Sequence, residues 1–490
     1  MKQKILRNFT CAGLLALTTA ACGGTKPPEH GGHTGPVSEA ESSSKQRESV
    51  AITVYNQNFG LVREVRNVGL GKGRVSLEFK DVSAHIQPET VSIKSLSSAD
   101  ALSVLEQNYR YDVLTPQKLL EKYVGKKIRV YRYNEKTGKD EAYDAEVLAA
   151  EQGTVLKIGN EITYNFPGRF AFPEVPDNLI AKPTLVWLLD SGAAQQKVEI
   201  SYLSQNLNWS ADYVLVVDDK DEKGDLTGWV TLTNNSGTSY ENATLKLVAG
   251  DVQRVSQQQM MDYAMAETAS APPPPPAEPQ FHEEGFFEYH LYTLSRPADV
   301  LDKEQKQVTL LDAHDIAIEK KLIFFGAAQY YRGNYGQVVS NQKVGVYLDF
   351  ENKKSNHMGM PLPKGVVRVY KADKSGAKQF IGEDSIDHTP RDEEIRIKMG
   401  EAFDVVGDRK QTDWKTLGIC ASESSWEIEL RNHKDEAATV EVREPINGDW
   451  EILSESHRHK KEDAHTFTFD VNVPARGKTK VTYRVRVRWC

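Results

Sequence analysis

Trp209, Ala211, Tyr213, Leu215 and Val217 recur at every second position of the segment NWSADYVLVV. This spacing constrains the fold more than any other feature of the chain. A period of two puts all five side chains on one face of an extended strand, whereas a helix would scatter them around its circumference. The surrounding residues extend the pattern. VEISYLSQNL precedes it, and GWVTLTNNSGTSYENATLKLVAGDV follows, with Asn234 to Gly237 as a turn between two apolar runs. The last strand repeats the alternation. Val481, Tyr483, Val485, Val487 and Trp489 face one way, and Thr482, Arg484, Arg486 and Arg488 face the other. One buried and one wetted face is what an antiparallel sandwich sheet requires. The fold class expected is mainly β: antiparallel β-sandwich domains, a small β-barrel-like insertion and few short helices.

The N-terminus reads as an address rather than as structure. Lys2, Lys4 and Arg7 precede a short apolar run from Cys11 to Leu17, then Thr18-Thr19-Ala20-Ala21-Cys22-Gly23-Gly24. Small residues before a cysteine resemble a bacterial lipobox, in which cleavage precedes the cysteine and its thiol is acylated. On this reading residues 1–21 are a signal peptide and Cys22 is the lipidation site. The partner is then the membrane, reached through lipid chains worth about 0.8 kcal/mol per buried methylene. Gly23 after the cysteine would send a Gram-negative lipoprotein to the outer membrane, facing the periplasm. The alternative is an ordinary secretory signal cut near Ala21. A disulfide between Cys420 and Cys490 is permitted outside the cytoplasm; the alternative is two unpaired thiols.

The rest divides by composition. Residues 22–48 are rich in Gly, Pro, Ser and charge and read as a flexible tether after the lipidated cysteine. Residues 49–185 read as an N-terminal β domain. Its one helix runs from Pro116, capped by Thr115 and stopped at Gly125. Its barrel-like part spans 126–166. Residues 186–410 read as a central sandwich interrupted by a Pro-rich disordered loop at 256–285, with a strand resuming at Phe286–Leu294. Residues 411–490 read as a C-terminal Ig-like sandwich. The net charge of −8 on 490 residues argues against nucleic acid as a partner, since phosphate binding needs concentrated positive charge.

Chemistry is sparse. The nucleotide-binding Gly-rich loop with its lysine, His-Glu-x-x-His, Gly-x-Ser-x-Gly and Cys-x-x-Cys are all missing from the sequence. No catalytic residue, metal site or cofactor is therefore assigned. The best polar constellation is Asp384, Asp387, His388 and Arg391. In one reading Asp387 orients His388 as a base, or Asp384 and His388 hold a cation. In the other, this is a polar strand-to-loop surface with Asp387 and Thr389 capping a turn before Pro390. His457 and His459 form a second candidate, set among positive charge. The arginine stripe 484/486/488 either meets anionic headgroups or glycans, or is a solvated strand face.

Several segments in order carry a resemblance: Tyr202 to Tyr213, Gly228 to Val252, Phe286 to Leu294, Met360 to Asp373, Phe380 to Asp413 and Leu430 to Glu451. Together they resemble an uncharacterised bacterial all-β family, domain of unknown function 4139, which also contains mucoidy inhibitor A-type proteins. The resemblance implies an extracytoplasmic β-sandwich protein and supplies no catalytic residue. The function expected is a membrane-anchored, non-catalytic binding or scaffold lipoprotein of the cell envelope, with an envelope protein or glycan as partner. The alternative is an envelope hydrolase using Asp384, Asp387 and His388.

Overall fold

The computed structural model describes residues 36–98, 100–151, 153–176, 179–180, 182–250, 252–253 and 280–490. The leader, Cys22 and most of the Pro-rich stretch lie outside the described residues. The protein is mainly β, and its sheets are organised as two sandwiches and a curled side sheet. No helix among the described residues is long and apolar enough to cross a membrane.

Fourteen of the described strands recur between the two sandwiches and are numbered in chain order. The first sandwich has β1 (Arg47–Tyr55), β2 (Phe59–Gly69), β3 (Leu207–Val217), β4 (Lys223–Asn234), β5 (Tyr240–Ala249), β6 (Tyr289–Leu294) and β7 (Glu304–Ala317). The second has β8 (Glu319–Phe325), β9 (Gln337–Glu351), β10 (Glu394–Gly418), β11 (Ala421–Asn432), β12 (Ala438–Pro445), β13 (Thr466–Val473) and β14 (Lys478–Arg488). The two share their pairings, except that β9 also pairs with β10 while the equivalent β2 and β3 lie in separate sheets. On one side β6 pairs antiparallel with β5, β5 parallel with β1, and β1 antiparallel with β2. The order β13-β12-β8-β9 repeats those directions. On the other side β4 lies between β3 and β7, just as β11 lies between β10 and β14. The chain is thus an internal structural repeat of one seven-strand unit, with long insertions in the first copy.

The alternation at the start of β3 does what the spacing demands. Leu207, Trp209, Ala211, Tyr213, Leu215 and Val217 are buried in the first core, which gathers residues from Val50 to Ile397. The second core runs from Leu322 to Val487. Strands β9 and β10 join both. Leu348, Phe350, Ile395 and Ile397 pack into the first core, while Val344, Ala402 and Val405 pack into the second. In β14, Val481, Tyr483, Val485 and Val487 are buried, each worth about 1.5–3 kcal/mol. Trp489 falls beyond the strand end and stays partly exposed.

The side sheet (127–134, 139–149, 155–158, 161–164 and 169–171) has its own small core of Ile128, Val130, Ala145, Val147 and Leu156, closed by Tyr123. It is the barrel-like insertion. The helix Pro116–Lys122 starts as expected, with the Lys118 N–H donating to Thr115 Oγ1 at 3.1 Å.

Four expected boundaries are corrected. The tether does not reach residue 48: Ser38–Ser42 pairs parallel with Gly73–Phe79, and β1 begins at Arg47. Residue 185 is not a domain edge. The strand Thr184–Ser191 sits inside a sheet between 73–79 and 102–110, with Trp187 in the first core. Residue 410 is not one either, because β10 runs straight through it; residues 411–490 complete a sandwich only with β8, β9 and β10. The Pro-rich stretch stops short of 285. Phe281–Phe286 forms a hairpin with β6, and Phe281 is fully buried. Phe287 takes the turn with φ +58.

Candidate functional site

The stretch 384–391 lies where an edge strand leaves its sheet. Residues 378–386 pair with 365–372, which in turn lies parallel to β3. Asp384 is half-buried and bound to backbone: its Oδ2 accepts the Lys398 N–H at 2.8 Å and its Oδ1 accepts the Ser385 N–H at 2.9 Å. It ties the edge strand to the start of β10. His388 Nδ1 accepts the Lys364 N–H at 3.2 Å. Thr389 Oγ1 donates to the Asp387 carbonyl at 2.9 Å, which closes the turn before Pro390. Asp387 and Arg391 are exposed. Asp384 thus sits on the edge strand and Asp387, His388 and Arg391 on the loop that follows it, and the bonds at Asp384, Asp387 and His388 shape the local backbone.

That loop is organised by a residue the sequence did not flag. Asn352, fully buried at the end of β9, donates through Nδ2 to the carbonyls of Met360 (2.8 Å) and Pro390 (2.9 Å) and accepts the Gly359 N–H (3.0 Å). Beside it, Asp349 is clamped by Arg396 at 2.9 and 2.6 Å and by Lys321 at 2.9 Å. Burial alone would raise the Asp349 carboxyl, but the two cations outweigh it and hold it below the usual range.

Arg484 and Arg486 of the stripe on β14 form an ion-pair ladder, while Arg488 is exposed at the strand end. Glu423 takes Arg484 on one oxygen (2.9 Å) and Arg486 on the other (2.9 Å). Asp413 and Glu451 complete the row at 2.8 and 3.2 Å. Hydrogen bonds from both arginines lower the Glu423 carboxyl. His459 packs between Trp450 and Phe467, with its Nδ1 2.6 Å from Glu455, and His457 bonds Ser456. Among the described residues, no group of three or more His, Cys, Asp or Glu is placed to hold a metal ion.

Cys420 and Cys490 are joined in a disulfide, with Cα atoms 5.7 Å apart. The Trp489 N–H donates to the Cys420 carbonyl at 3.0 Å. Together these fasten the C-terminus to the β10–β11 hairpin. Trp489 and Cys490 form one wall of a cleft of about 410 Å³, shared with Trp450, Lys461, His465 and Arg488.

A profile of the domain of unknown function DUF4139 matches residues 198–490, more than half of the chain. The chain belongs to the DUF4139 family. No curated protein matches it. The matched part of this DUF4139 protein starts inside the strand Gln195–Gln205, so it holds the second sandwich whole but lacks β1 and β2 of the first.

Two buried charge clusters were missed by the sequence reading. Glu64 and Arg66 in β2 are fully buried with Arg47 beside them, and Arg409 and Glu444 are fully buried in the second sandwich. The signal was parity. Glu64 and Arg66 share the register of Val62 and Val68, and Glu444 shares that of Val440 and Val442. In the second cluster Arg409 Nη1 donates to Glu444 Oε2 at 2.8 Å. The Tyr331 hydroxyl donates to the same oxygen at 2.7 Å and meets Tyr483 at 2.8 Å.

Proposed function

We propose that this DUF4139 protein is a lipoprotein of the bacterial envelope, acylated at Cys22, that acts as a non-catalytic binding or scaffold module: a two-sandwich body held off the outer membrane by a short tether, presenting its surface to an envelope protein or glycan. The observation that carries the reading is the pairing of Cys420 with Cys490, because such a bond persists in an oxidising compartment. The lipobox-like Thr19-Ala20-Ala21-Cys22 supports the same compartment. The tether is shorter than its composition suggested, ending before Ser38. Kinship with mucoidy inhibitor A-type proteins rests on the segments from Tyr202 to Glu451 that resemble them.

The reading gives Asp384, Asp387 and His388 a part in building a loop rather than in hydrolysis. Crosslinking of the intact envelope, followed by recovery of this chain, tests it. A defined envelope partner, recovered equally with Asp387→Asn and His388→Ala variants, is the expected result. Hydrolysis of an envelope polymer by the purified chain, lost in those two variants, would overturn it.

A further inference from the structure

Strand β10 outruns the sheet that holds it. Its partner β9 follows it only to Lys410, opposite Gln337. Beyond that point residues 411–418 pair with β11 alone, and β14 backs β11 out to Ala421, opposite Arg488. Among the described residues, neither core takes an apolar side chain from the stretch between Val405 and Trp426. Apolar residues at the end of this hairpin therefore have no packing role inside the fold.

They gather there nonetheless. Leu417 and Ile419 flank Gly418 at the turn, and both are exposed. Ile419 is wholly so, more than any other large apolar side chain among the described residues. Trp489, itself partly exposed, is fastened beside them: Cys490 is bonded to Cys420, and the Trp489 N–H donates to the Cys420 carbonyl at 3.0 Å. This staple holds the tip in one shape, which lowers the ordering cost of presenting it to a partner. The same hydrogen bond satisfies a turn carbonyl, so that group is not orphaned where water is scarce.

The charge around the tip is positive. Lys415, Lys461 and Arg488 are exposed, and none of them has an ion-pair partner among the described residues. Glu423, opposite Lys415, is taken by Arg484 and Arg486, and Asp413 by Arg484. Asp449, opposite Arg488 on the next strand, is the acid left to set against the three cations. A second exposed apolar turn, at Phe286 and Phe287, has the opposite surroundings, with Glu283, Glu284 and Glu288 beside it in sequence. Such a turn repels an anionic surface, whereas the stapled tip attracts one.

We propose that the turn at Leu417 and Ile419, with Trp489 beside it, inserts into an anionic phospholipid surface as far as the boundary between headgroups and acyl chains, while Lys415, Lys461 and Arg488 meet lipid phosphates. Tryptophan is favoured at that depth, and basic residues near an anionic leaflet add to the attraction. A lipid surface accepts projecting side chains without a shape-matched partner face. The inference rests on the envelope reading for its membrane and deepens it: the body is held at two points, by its anchor and by this turn.

Co-sedimentation with phospholipid vesicles tests it, using the purified chain with Cys22→Ala in every sample. The anchor is then absent and residues 1–21 contribute alike to all variants. Failure here leaves the acylation reading standing, and failed palmitate labelling leaves this result standing. Binding to vesicles of phosphatidylethanolamine and phosphatidylglycerol is expected, and weaker binding to phosphatidylcholine alone. Ile419→Ser should weaken the former about tenfold. Lys415→Gln should weaken it about two- to threefold and lessen its salt dependence. Both positions are exposed and outside the cores, so the variants should keep the parent's thermal midpoint. Absence of binding to the phosphatidylglycerol vesicles, or equal binding by the parent and Ile419→Ser, would overturn the proposal. Self-association that Ile419→Ser abolishes, without vesicle binding, would also overturn it and assign the tip to a second copy of the chain.

Discussion

Asn234 and Asn432 make the same hydrogen bonds at the same corner of their two sandwiches. Each ends the strand that crosses to the opposite sheet. Asn234 Nδ2 donates to the Thr238 carbonyl (2.9 Å) and the Val300 carbonyl (3.1 Å), and its Oδ1 accepts the Ser236 N–H (3.0 Å). Asn432 Nδ2 donates to Glu436 (2.8 Å) and Val473 (3.3 Å), and its Oδ1 accepts the Lys434 N–H (3.0 Å). Both residues are 1 % exposed, so water cannot replace these bonds.

Replacement of either asparagine by alanine should therefore destabilise the protein by about 2–3 kcal/mol, since buried backbone groups lose their partner. Urea denaturation of the two variants measures this. A cost below about 0.5 kcal/mol at either corner would remove the equivalence in energy, whatever the equivalence in geometry.

Gly326 precedes the second buried charge cluster. A Cβ there would overlap the Glu444 carboxylate and the Arg409 guanidinium. Gly326→Ala should push the pair apart and cost on the order of 3 kcal/mol, the penalty for breaking a buried pair. Trp426 packs on Tyr331 with ring centroids 5.6 Å apart, so its fluorescence follows the loss during denaturation. A neutral Gly326→Ala would mean that the pair contributes nothing to holding β10 against β12.

Acid should find Asp81. Burial opposes its ionisation, but the Lys182 ammonium and the Ser44 N–H and hydroxyl overcome this and bring its carboxyl from 3.8 down to about 2. A carboxylate lowered by folding adds stability that is complete above its unfolded value and is lost as the pH falls through the folded one. Asp81→Asn should thus be less stable than the parent by on the order of 2 kcal/mol at pH 7. The gap should close between about pH 4 and pH 2. A gap that is independent of pH in that window would contradict the assignment.

Much of the fold was legible because alternation is a local signal. The inward faces of β3 and β14, the Thr115-capped helix and the turns of the side sheet need only neighbours in sequence. The strand Ser38–Ser42 was not legible. SEAES carries no apolar alternation and is a strand through its pairing with Val75–Phe79. The repeat was hidden by its insertions: residues 70–206 separate β2 from β3, but only residues 352–393 separate β9 from β10. At the site, the sequence pointed to polar residues that stand together, Asp384 to Arg391. It passed over Arg47, whose partners Glu64 and Ser239 are distant in sequence.

The disulfide closes a long segment, with Cys420 and Cys490 separated by 70 residues. In the loop-entropy view such a closure is worth up to about 4 kcal/mol. Reduction with dithiothreitol, or Cys490→Ser, should lower the thermal midpoint and loosen the cleft wall at Trp489. An unchanged midpoint under reduction would show that the β14 pairing alone holds the C-terminus.

Metabolic labelling with palmitate tests most directly the proposal that an acylated Cys22 hangs the β-sandwich body from a membrane. Cells producing the wild-type chain should yield a labelled, membrane-associated product, and Cys22→Ala should yield an unlabelled one released from the membrane fraction. An unlabelled wild-type product, or equal label in both, would contradict the account.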